Sequence, residues 1–414
     1  MTTINTPLQD TRFKPSKDMS ALVNDLLKQD SAFHPNLGGV TKGGMSNHYP
    51  MTILSLQGLG ASDEEIQHFT DMWPRHRAHL TQQLNLKDKQ IINEKNWQEY
   101  LGQADFVLEF RRVFLTQLQN SESPNNYVAN ILYQMRNGLP MGLFHPLIRI
   151  SFAMIHGDKG LIADGLAYMA IRFSDLYGGT DFSGELNENQ IPNIDPVETL
   201  SKKSQENTAE NAWQNIHSFL ETQGQSIQFT QTIQGGSLHI CEQLCREPAI
   251  QSLVFENDLD INHENLMQSV AEISMCALRL YFHQPALTTL HAVTSCQALA
   301  DITQRCLEEK TDSKQLIALW QHYWIWLTGL YIEKGYPKNL PKIDANLETE
   351  IALKDWKSLA ISARNIPEVH LIKMVYSCKW FFENIEQSVY YKLAVVKILK
   401  ERNAHPRSPY GLAK

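Results

Sequence analysis

Apolar residues recur at three- and four-residue spacing through most of the chain, the pattern of helices that bury one face. No segment alternates apolar and polar residues convincingly, so strands are not predicted. Ser62 and Glu65 have the spacing of a capping box at a helix start, and Asn365 and Glu368 repeat it, with Pro367 in the first turn. The pattern predicts an all-α fold, a large bundle-like multi-helix domain whose functional site is buried between helices.

Prolines mark the starts of two apolar helices. Pro50 introduces the segment MTILSL, and Pro146 introduces LIRISFAMI, which is expected to end near Gly157. A longer helix with an apolar face is predicted from Pro285 to Cys306.

Polar segments divide this helical pattern. Residues 178–210 are predicted to form a long surface loop or linker. It would separate an N-terminal helical half, residues 1–177, from a C-terminal helical half, residues 211–401. A second loop is predicted at residues 334–349, and residues 402–414 are expected to form a frayed tail.

The bulk properties exclude several classes of protein. The 414 residues can bury a large core, as one helical domain or as two that share an interface. A net charge of −8, with no basic run, argues against nucleic acid as the main partner. The N-terminal segment lacks the apolar stretch of a secretory signal, and no apolar run reaches membrane-spanning length. We therefore expect a cytoplasmic protein with no membrane partner, whose oligomeric state the sequence leaves open.

The six cysteines are scattered along the chain. Only Cys241 and Cys245 are close, at the spacing of one helix face. A structural zinc site would require a second such pair. The cysteines are therefore expected to be reduced thiols, mostly small core residues.

Five polar residues stand in or beside apolar segments, where the pattern predicts core. They are His48 in SNHYPMTILSL, His145 in LFHPLIRISF, His291 in ALTTLHAVTSCQALA, and His370 and Lys373 in NIPEVHLIKMVY. Burying an imidazole or an amine is costly unless something binds it. Neutral imidazole is the commonest metal ligand, so a shared metal ion is one explanation. The ordinary alternative is that each histidine is a hydrogen-bonded core residue.

His370 and Lys373 are three residues apart, so a helix projects both from one face. Their neighbours are apolar nearly all round, which is typical of a buried helix. Burial lowers the pKa of a lysine amine, and an uncharged amine can react with carbon dioxide to give a carbamate, an anionic oxygen ligand. Alternatively, Lys373 is an ordinary cation paired with a carboxylate such as Glu368 on the exposed side.

Other polar residues are expected to have ordinary roles. His156, near a helix end, is predicted to be solvated. Thr294, one turn from His291, either orients a ligand or bonds to its own helix. Tyr168 either faces a pocket or packs in the core.

Six segments carry a resemblance that goes beyond single residues. They are NHYPMTILSLQGLGAS at 47–62, NWQEYLG at 96–102, GLFHPLIRISFAM at 142–154, GLAYMA at 165–170, TLHAVTSCQAL at 289–299 and EVHLIK at 368–373. In these segments and their order the chain resembles the questin oxidase-like family of aromatic polyketide-tailoring enzymes. The resemblance implies a mononuclear non-haem iron, Fe(II) or Fe(III), held by four histidines and a carbamylated lysine. The positions that match are His48, His145, His291, His370 and Lys373.

The same resemblance implies an oxygenase that acts on anthraquinone-type compounds, with Baeyer–Villiger-like or ring-opening outcomes. A flavin enzyme for such chemistry should show a strand followed by G-x-G-x-x-G. The nearest string, GLGASD from Gly58, follows a predicted helix and lacks the last glycine. No flavin is therefore expected, and NADPH, if it is the reductant, would not use a Rossmann site.

The leading hypothesis is an iron-dependent oxidoreductase that uses O2 on a polycyclic aromatic or quinone-like small molecule. A helical metal-dependent hydrolase, in which a metal-bound hydroxide attacks an ester or phosphate, is the first alternative. It is disfavoured because no aspartate or glutamate belongs to the five-residue set. The second alternative is a non-catalytic binding or scaffold protein that retains the pocket.

Overall fold

The computed structural model describes residues 16–39, 45–73, 77–80, 92–176, 208–223 and 261–410. Within these residues there are 15 α-helices and no strands, which confirms the all-α prediction. The helices are α1 (Ala21–Asp30), α2 (Tyr49–Gly58), α3 (Asp63–Met72), α4 (Val107–Asn120), α5 (Pro124–Gln134), α6 (His145–His156), α7 (Lys159–Arg172), α8 (Ala209–Gln223), α9 (Leu266–His283), α10 (Leu287–Glu308), α11 (Ser313–Glu333), α12 (Ala345–Leu353), α13 (Trp356–Arg364), α14 (Val369–Asn384) and α15 (Val389–Ala404). Short 3-10 helices occur at Trp97–Tyr100, Ala104–Phe106 and Arg136–Gly138.

Several predicted helix boundaries are confirmed. Ser62 caps α3 by accepting from the backbone N–H of Glu65, whose carboxylate accepts from the backbone N–H of Ser62 in return. Proline occupies the first turn of both α2 and α6, and α6 ends at Gly157, where φ is +83°. The long helix predicted from Pro285 is α10.

The second predicted capping box is wrong. Asn365 ends α13, and α14 begins only after Glu368. The Glu368 carboxylate itself accepts from the backbone N–H groups of His370 and Leu371. Glu368 is therefore the N-cap residue rather than a residue of the first turn, because its side chain bonds the free N–H groups that a helix start leaves.

The polar segments differ from the prediction in detail. Residues 177–207, most of the predicted loop at 178–210, lie outside the described residues, and α8 begins at Ala209. The loop predicted at 334–349 is shorter than expected, because the Asp344 side chain caps α12.

The frayed tail predicted from residue 402 is wrong for residues 402–410. Helix α15 continues to Ala404, and Arg402 is buried within it. Further on, the Pro409 carbonyl accepts a hydrogen bond from the backbone N–H of Val369. This segment is ordered because it packs against the start of α14.

The described helices share one continuous apolar core. Helices from both sides of residues 177–207 contact each other, with α10 packed against α6 and α14 packed against α2. The division into two helical halves stays a prediction, but these contacts place the site residues of both halves around one interior point.

Aromatic side chains fill the core beside α6. Phe144 lies with its ring centroid 4.6 Å from that of Trp326 and 5.4 Å from that of Tyr323. Full burial of each such ring stabilises the fold by roughly 2–3 kcal/mol. The aromatic packing therefore fixes the turn that leads into His145.

The cysteines that the structure describes are Cys276, Cys296, Cys306 and Cys378, and all four are buried free thiols, as expected for small core residues. Cys241 and Cys245 lie outside the described residues. A membrane-spanning helix needs about twenty apolar residues, and no helix in the described part of the chain meets that requirement of length and hydropathy.

Candidate metal centre

The five predicted site residues come together in the interior. His48 immediately precedes α2, His145 begins α6, His291 lies in the second turn of α10, and His370 and Lys373 lie in the first two turns of α14. None of the five is more than 8% exposed. Residues from four helices, far apart in the sequence, therefore occupy one buried volume.

The four imidazole rings, called the histidine cluster below, form a closed circuit. Ring centroids are 4.5 Å apart for His48 and His145, and 4.5 Å apart for His145 and His291. The circuit closes through His370, at 5.2 Å from His291 and 4.8 Å from His48. One ring nitrogen from each of His48, His145 and His370 lies within 4.8 Å of the other two, so these three residues could hold a metal ion.

Three members of the histidine cluster are oriented by hydrogen bonds from Nδ1 to oxygen atoms. His145 donates to the Gly142 carbonyl at 2.6 Å, His291 to the Leu287 carbonyl at 2.8 Å, and His370 to the Glu368 carboxylate at 3.0 Å. Because these oxygens can only accept, Nδ1 carries the proton and Nε2 presents a lone pair. Such outer partners fix the tautomer and orientation of metal-binding histidines.

The Nε2 atoms of His145 and His291 are 3.0 Å apart. In the tautomers just described neither nitrogen carries a proton, so the two lone pairs face each other and repel unless a cation binds both. Two imidazole nitrogens bound to one ion at right angles are roughly 3 Å apart when each bond is about 2.1 Å long. The spacing of these two nitrogens therefore fits a shared metal ion.

Electrostatics keep the histidine cluster uncharged. Burial lowers the pKa of all four histidines below the ordinary 6.5, well below it for His48, His145 and His291. The Lys373 charge is the second cause for both His48 and His145. Neutral imidazole is the form that binds a metal, so the cluster is in the competent state at neutral pH.

Lys373 is fully buried, with Nζ 2.9 Å from His48 Nδ1. Burial lowers the pKa of its amine to about 7, and the Glu368 carboxylate offsets this only in part. A substantial fraction of the amine is therefore uncharged at neutral pH. The alternative in which Lys373 pairs with Glu368 on an exposed face is wrong, because both side chains are buried.

Glu368 supports the candidate ligand His370 by accepting its Nδ1–H. The sequence alone had instead allowed Glu368 to be a surface partner of Lys373. Burial raises the pKa of Glu368, but hydrogen bonds from His370 and Arg402 outweigh burial and lower the pKa to about 2. The sequence did contain a signal for this role, because Glu368 stands two residues before the candidate ligand His370. Arg402 had no such indication, because it was assigned to the tail.

The remaining polar candidates have structural roles. Tyr168 hydrogen-bonds to Ser46 and Asn36. Thr294 bonds to the carbonyl of its own helix, one turn back, at 3.5 Å. His156 is buried, with Nε2 2.9 Å from Asn24 Oδ1, so the prediction that it is solvated is wrong.

An all-α fold that buries four neutral histidines side by side defines the protein as a candidate metalloprotein. The questin oxidase-like family matches residues 45–378, well over half of the chain, and the matched part includes all five site residues. The chain belongs to the questin oxidase-like family. Membership suggests an oxidase that acts on aromatic polyketides, and so a small-molecule substrate. No curated protein matches the chain.

Proposed function

We propose that the protein is an iron-dependent oxidoreductase that uses O2 to oxidise a polycyclic aromatic or quinone-like compound, by a Baeyer–Villiger-like or carbon–carbon-cleaving route. The observation that supports this most is the convergence of buried imidazoles whose Nδ1 atoms are held by oxygen acceptors. The histidine cluster would hold the iron, with Lys373 as a carbamylated fifth ligand. Iron so bound supplies the redox chemistry that lets O2 react with an organic substrate.

The contact between Lys373 and His48 supports carbamylation. The uncharged amine would attack the carbon of carbon dioxide, so that a nitrogen–carbon bond forms and one amine proton is released. His48 Nδ1, 2.9 Å from the amine, would accept that proton and then release it, because burial keeps the pKa of His48 well below its usual value and so keeps the imidazole neutral. The product is an anionic oxygen donor in a site otherwise built from neutral nitrogens.

The charge of the surroundings favours a cation in the histidine cluster. Glu368 and Arg402 form a buried ion pair behind His370, with Arg402 Nε 3.0 Å from Glu368 Oε2, so their charges offset each other. Four neutral imidazoles and one carbamate then present a single net negative charge. Imidazole is a good ligand for iron, and the apolar surroundings exclude water that would compete for the metal.

The hydrolase alternative has weaker support. A hydrolytic metal site uses a carboxylate or a second base to help activate water. Within the described residues, the carboxylate that contacts the histidine cluster is Glu368, which bonds to His370 Nδ1 and to Arg402 rather than facing the interior. A non-catalytic scaffold would have no reason to hold three histidines in the same metal-competent tautomer.

Metal content and oxygen uptake together test the proposal. The protein would be purified without oxygen, its iron measured by elemental analysis and by electron paramagnetic resonance, and O2 uptake recorded with a panel of hydroxyanthraquinones. Iron near one per chain with substrate-dependent O2 uptake supports the proposal. Bound metal with ester or phosphate hydrolysis and no O2 uptake supports the hydrolase, and a protein that binds no metal supports the scaffold.

A further inference from the structure

The C-terminal segment, residues 402–410, lies beyond the part of the chain that the family matches. It contacts Glu368, on the side of His370 that faces away from the histidine cluster. Arg402 Nε donates to Glu368 Oε2 at 3.0 Å. The other oxygen of that carboxylate, Oε1, accepts from His370 Nδ1 at 3.0 Å. An unbroken line of hydrogen bonds therefore joins the segment to a proposed metal ligand.

A backbone contact reinforces this line. The N–H of Val369 donates to the Pro409 carbonyl at 3.0 Å. The first N–H groups of a helix have no partner within the helix, so this bond ties the segment to the turn of α14 that carries His370.

The same segment also reaches the residue next to His48. The ring centroid of Tyr410 lies 5.1 Å from that of Trp73. Trp73 in turn lies 5.9 Å from Tyr49, which follows His48 in the chain. Residues 402–410 therefore contact the surroundings of both His370 and His48.

The pair formed by Arg402 and Glu368 is nearly closed to water, with the two side chains 5% and 1% exposed. A buried carboxylate stays in one orientation only while its oxygens are bonded. The backbone N–H groups of His370 and Leu371 also bond this carboxylate. Without Arg402 the Oε2 atom keeps only the N–H of Leu371, and the carboxylate loses its buried cationic partner, so its hold on His370 Nδ1 weakens.

We propose that residues 402–410 are a brace for the metal centre, in which Arg402 acts through Glu368 as a positioning residue for His370. This rests on the proposed function above. Arg402 does not reach the interior of the histidine cluster; its role is to hold the carboxylate that keeps His370 Nε2 directed into the cluster. The brace thereby sets how tightly the cluster binds a metal ion.

Metal titration of the full-length chain tests the brace. Co(II), which reports binding by its visible absorption, and Fe(II) would be titrated without oxygen into metal-free protein. Arg402→Met is expected to bind both ions up to about 10-fold more weakly, the lower end of the effect of losing a direct outer partner of a metal-binding histidine, because Glu368 itself remains. Arg402→Lys, which keeps a charged donor, should recover part of the affinity. Wild-type affinity in Arg402→Met would overturn the proposal.

Arg407→Met is the matched control. Arg407 belongs to the same segment, its side chain is 37% exposed, and it pairs with Glu401, the second carboxylate that Arg402 contacts. The control should keep wild-type affinity. An equal loss of affinity in Arg407→Met and Arg402→Met would show a general effect of the segment's charge and overturn the assignment to Arg402.

A double variant covers the case in which Arg402→Met does not fold. Glu368→Gln with Arg402→Met removes both members of the buried ion pair, which proteins tolerate better than the loss of one. Its helix content should match the wild type, while its Co(II) affinity falls by about 10- to 100-fold, because the direct partner of His370 is changed as well. Wild-type affinity in this folded variant would overturn the proposal.

Nitrogen NMR of the metal-free protein separates the brace from the proposed function. With ¹⁵N-labelled histidine, and the His370 resonances assigned from their loss in His370→Gln, the wild type should show the Nδ1–H form. Arg402→Met should show a mixture of both tautomers. An unchanged Nδ1–H form in Arg402→Met would overturn the brace. A wild-type protein that binds neither Co(II) nor Fe(II) would overturn the proposed function, and the tautomer of His370 would then be the only test of the brace.

Discussion

The amine of Lys373 lies 2.9 Å from Nδ1 of His48, across 325 positions of sequence. Burial lowers the pKa of both groups, so the pair is stable only when at most one of them carries a proton charge. An uncharged amine beside a proton acceptor, in a site closed to bulk water, is the arrangement that carbamate formation requires.

Replacing Lys373 by alanine should abolish iron binding and O2-dependent turnover and leave the fold intact. Alanine is a good helix former, so α14 should persist. Iron content, circular dichroism and O2 uptake would be measured together. Lys373→Glu, which offers a carboxylate on a shorter stem, should restore part of the metal.

Lys392→Ala provides the control for Lys373. Lys392 is also buried, but its amine donates to the Ala352 carbonyl, away from the histidine cluster. This variant should lose stability while it keeps iron and turnover. Full iron occupancy and normal turnover in Lys373→Ala would remove the lysine from the mechanism, even with the histidine ligands established.

Replacing His291 by alanine should lower iron content to background, because it removes one of the two nitrogens that face each other at 3.0 Å. His156→Ala is the matched control, since His156 is a buried histidine that bonds to Asn24 outside the cluster. The control should cost about 1–3 kcal/mol of stability, as loss of a buried hydrogen bond does, and leave iron unchanged. Elemental analysis and urea unfolding distinguish the two effects; iron retained in both variants would contradict the site.

Gly142 and Gly157 flank α6, and both have positive φ, +64° and +83°. Alanine at either should cost about 1–2 kcal/mol for the left-handed conformation. At Gly142 a Cβ would also lie 3.3 Å from Arg172 Nε and from Pro146 Cδ, whereas at Gly157 nothing lies within 4 Å. Because the Gly142 carbonyl orients His145, only Gly142→Ala should weaken Co(II) binding. Equal affinities would show that this carbonyl does not position the ligand.

The stability of the metal-free protein should rise with pH above neutrality. Lys373 takes up a proton below about 7 in the folded state, but already below the ordinary 10.5 when unfolded. Between these values the unfolded chain binds more protons, so stability increases with pH, by at most roughly 1.4 kcal/mol per unit for this group.

Lys373→Met should remove this rise. Urea unfolding of both metal-free proteins between about pH 7 and pH 9 measures the difference. A constant difference between wild type and variant across that range would contradict a lowered pKa. Below pH 6.5 both proteins should lose stability, since the unfolded histidines take up protons that the buried ones refuse.

The local sequence pattern was sufficient to predict the helices and the segments that carry the site residues. Helical periodicity and the caps at Ser62 and Gly157 depend on neighbours in sequence, so they can be read from it. The start of α14 could not, because Asn is a preferred N-cap residue and Glu is not, so local pattern favours Asn365 over the observed cap, Glu368. The observed cap, Glu368, also bonds to Arg402, a tertiary contact that local pattern does not reveal.

His156 shows the same limit. Its position near a helix end predicts solvent contact, but Asn24 of α1 covers it. The role of Arg402 was invisible for the same reason, since neither its spacing nor its neighbours indicate Glu368. In each case the sequence does not reveal which distant segment packs over the residue.

The assembly of the site from α2, α6, α10 and α14 has a consequence for how a newly made chain would acquire the proposed metal. Closing the loop between His48 and Lys373 carries an entropic cost that only the packed core offsets. Contacts of such long sequence separation form late in folding. A chain still on the ribosome can carry His48, His145 and His291 before α14 is made, but it lacks His370 and Lys373, and an incomplete ligand set would hold an ion weakly. If the histidine cluster holds the proposed metal, we expect capture after synthesis, by a folded protein, so that the finished geometry rather than the nascent chain selects the ion.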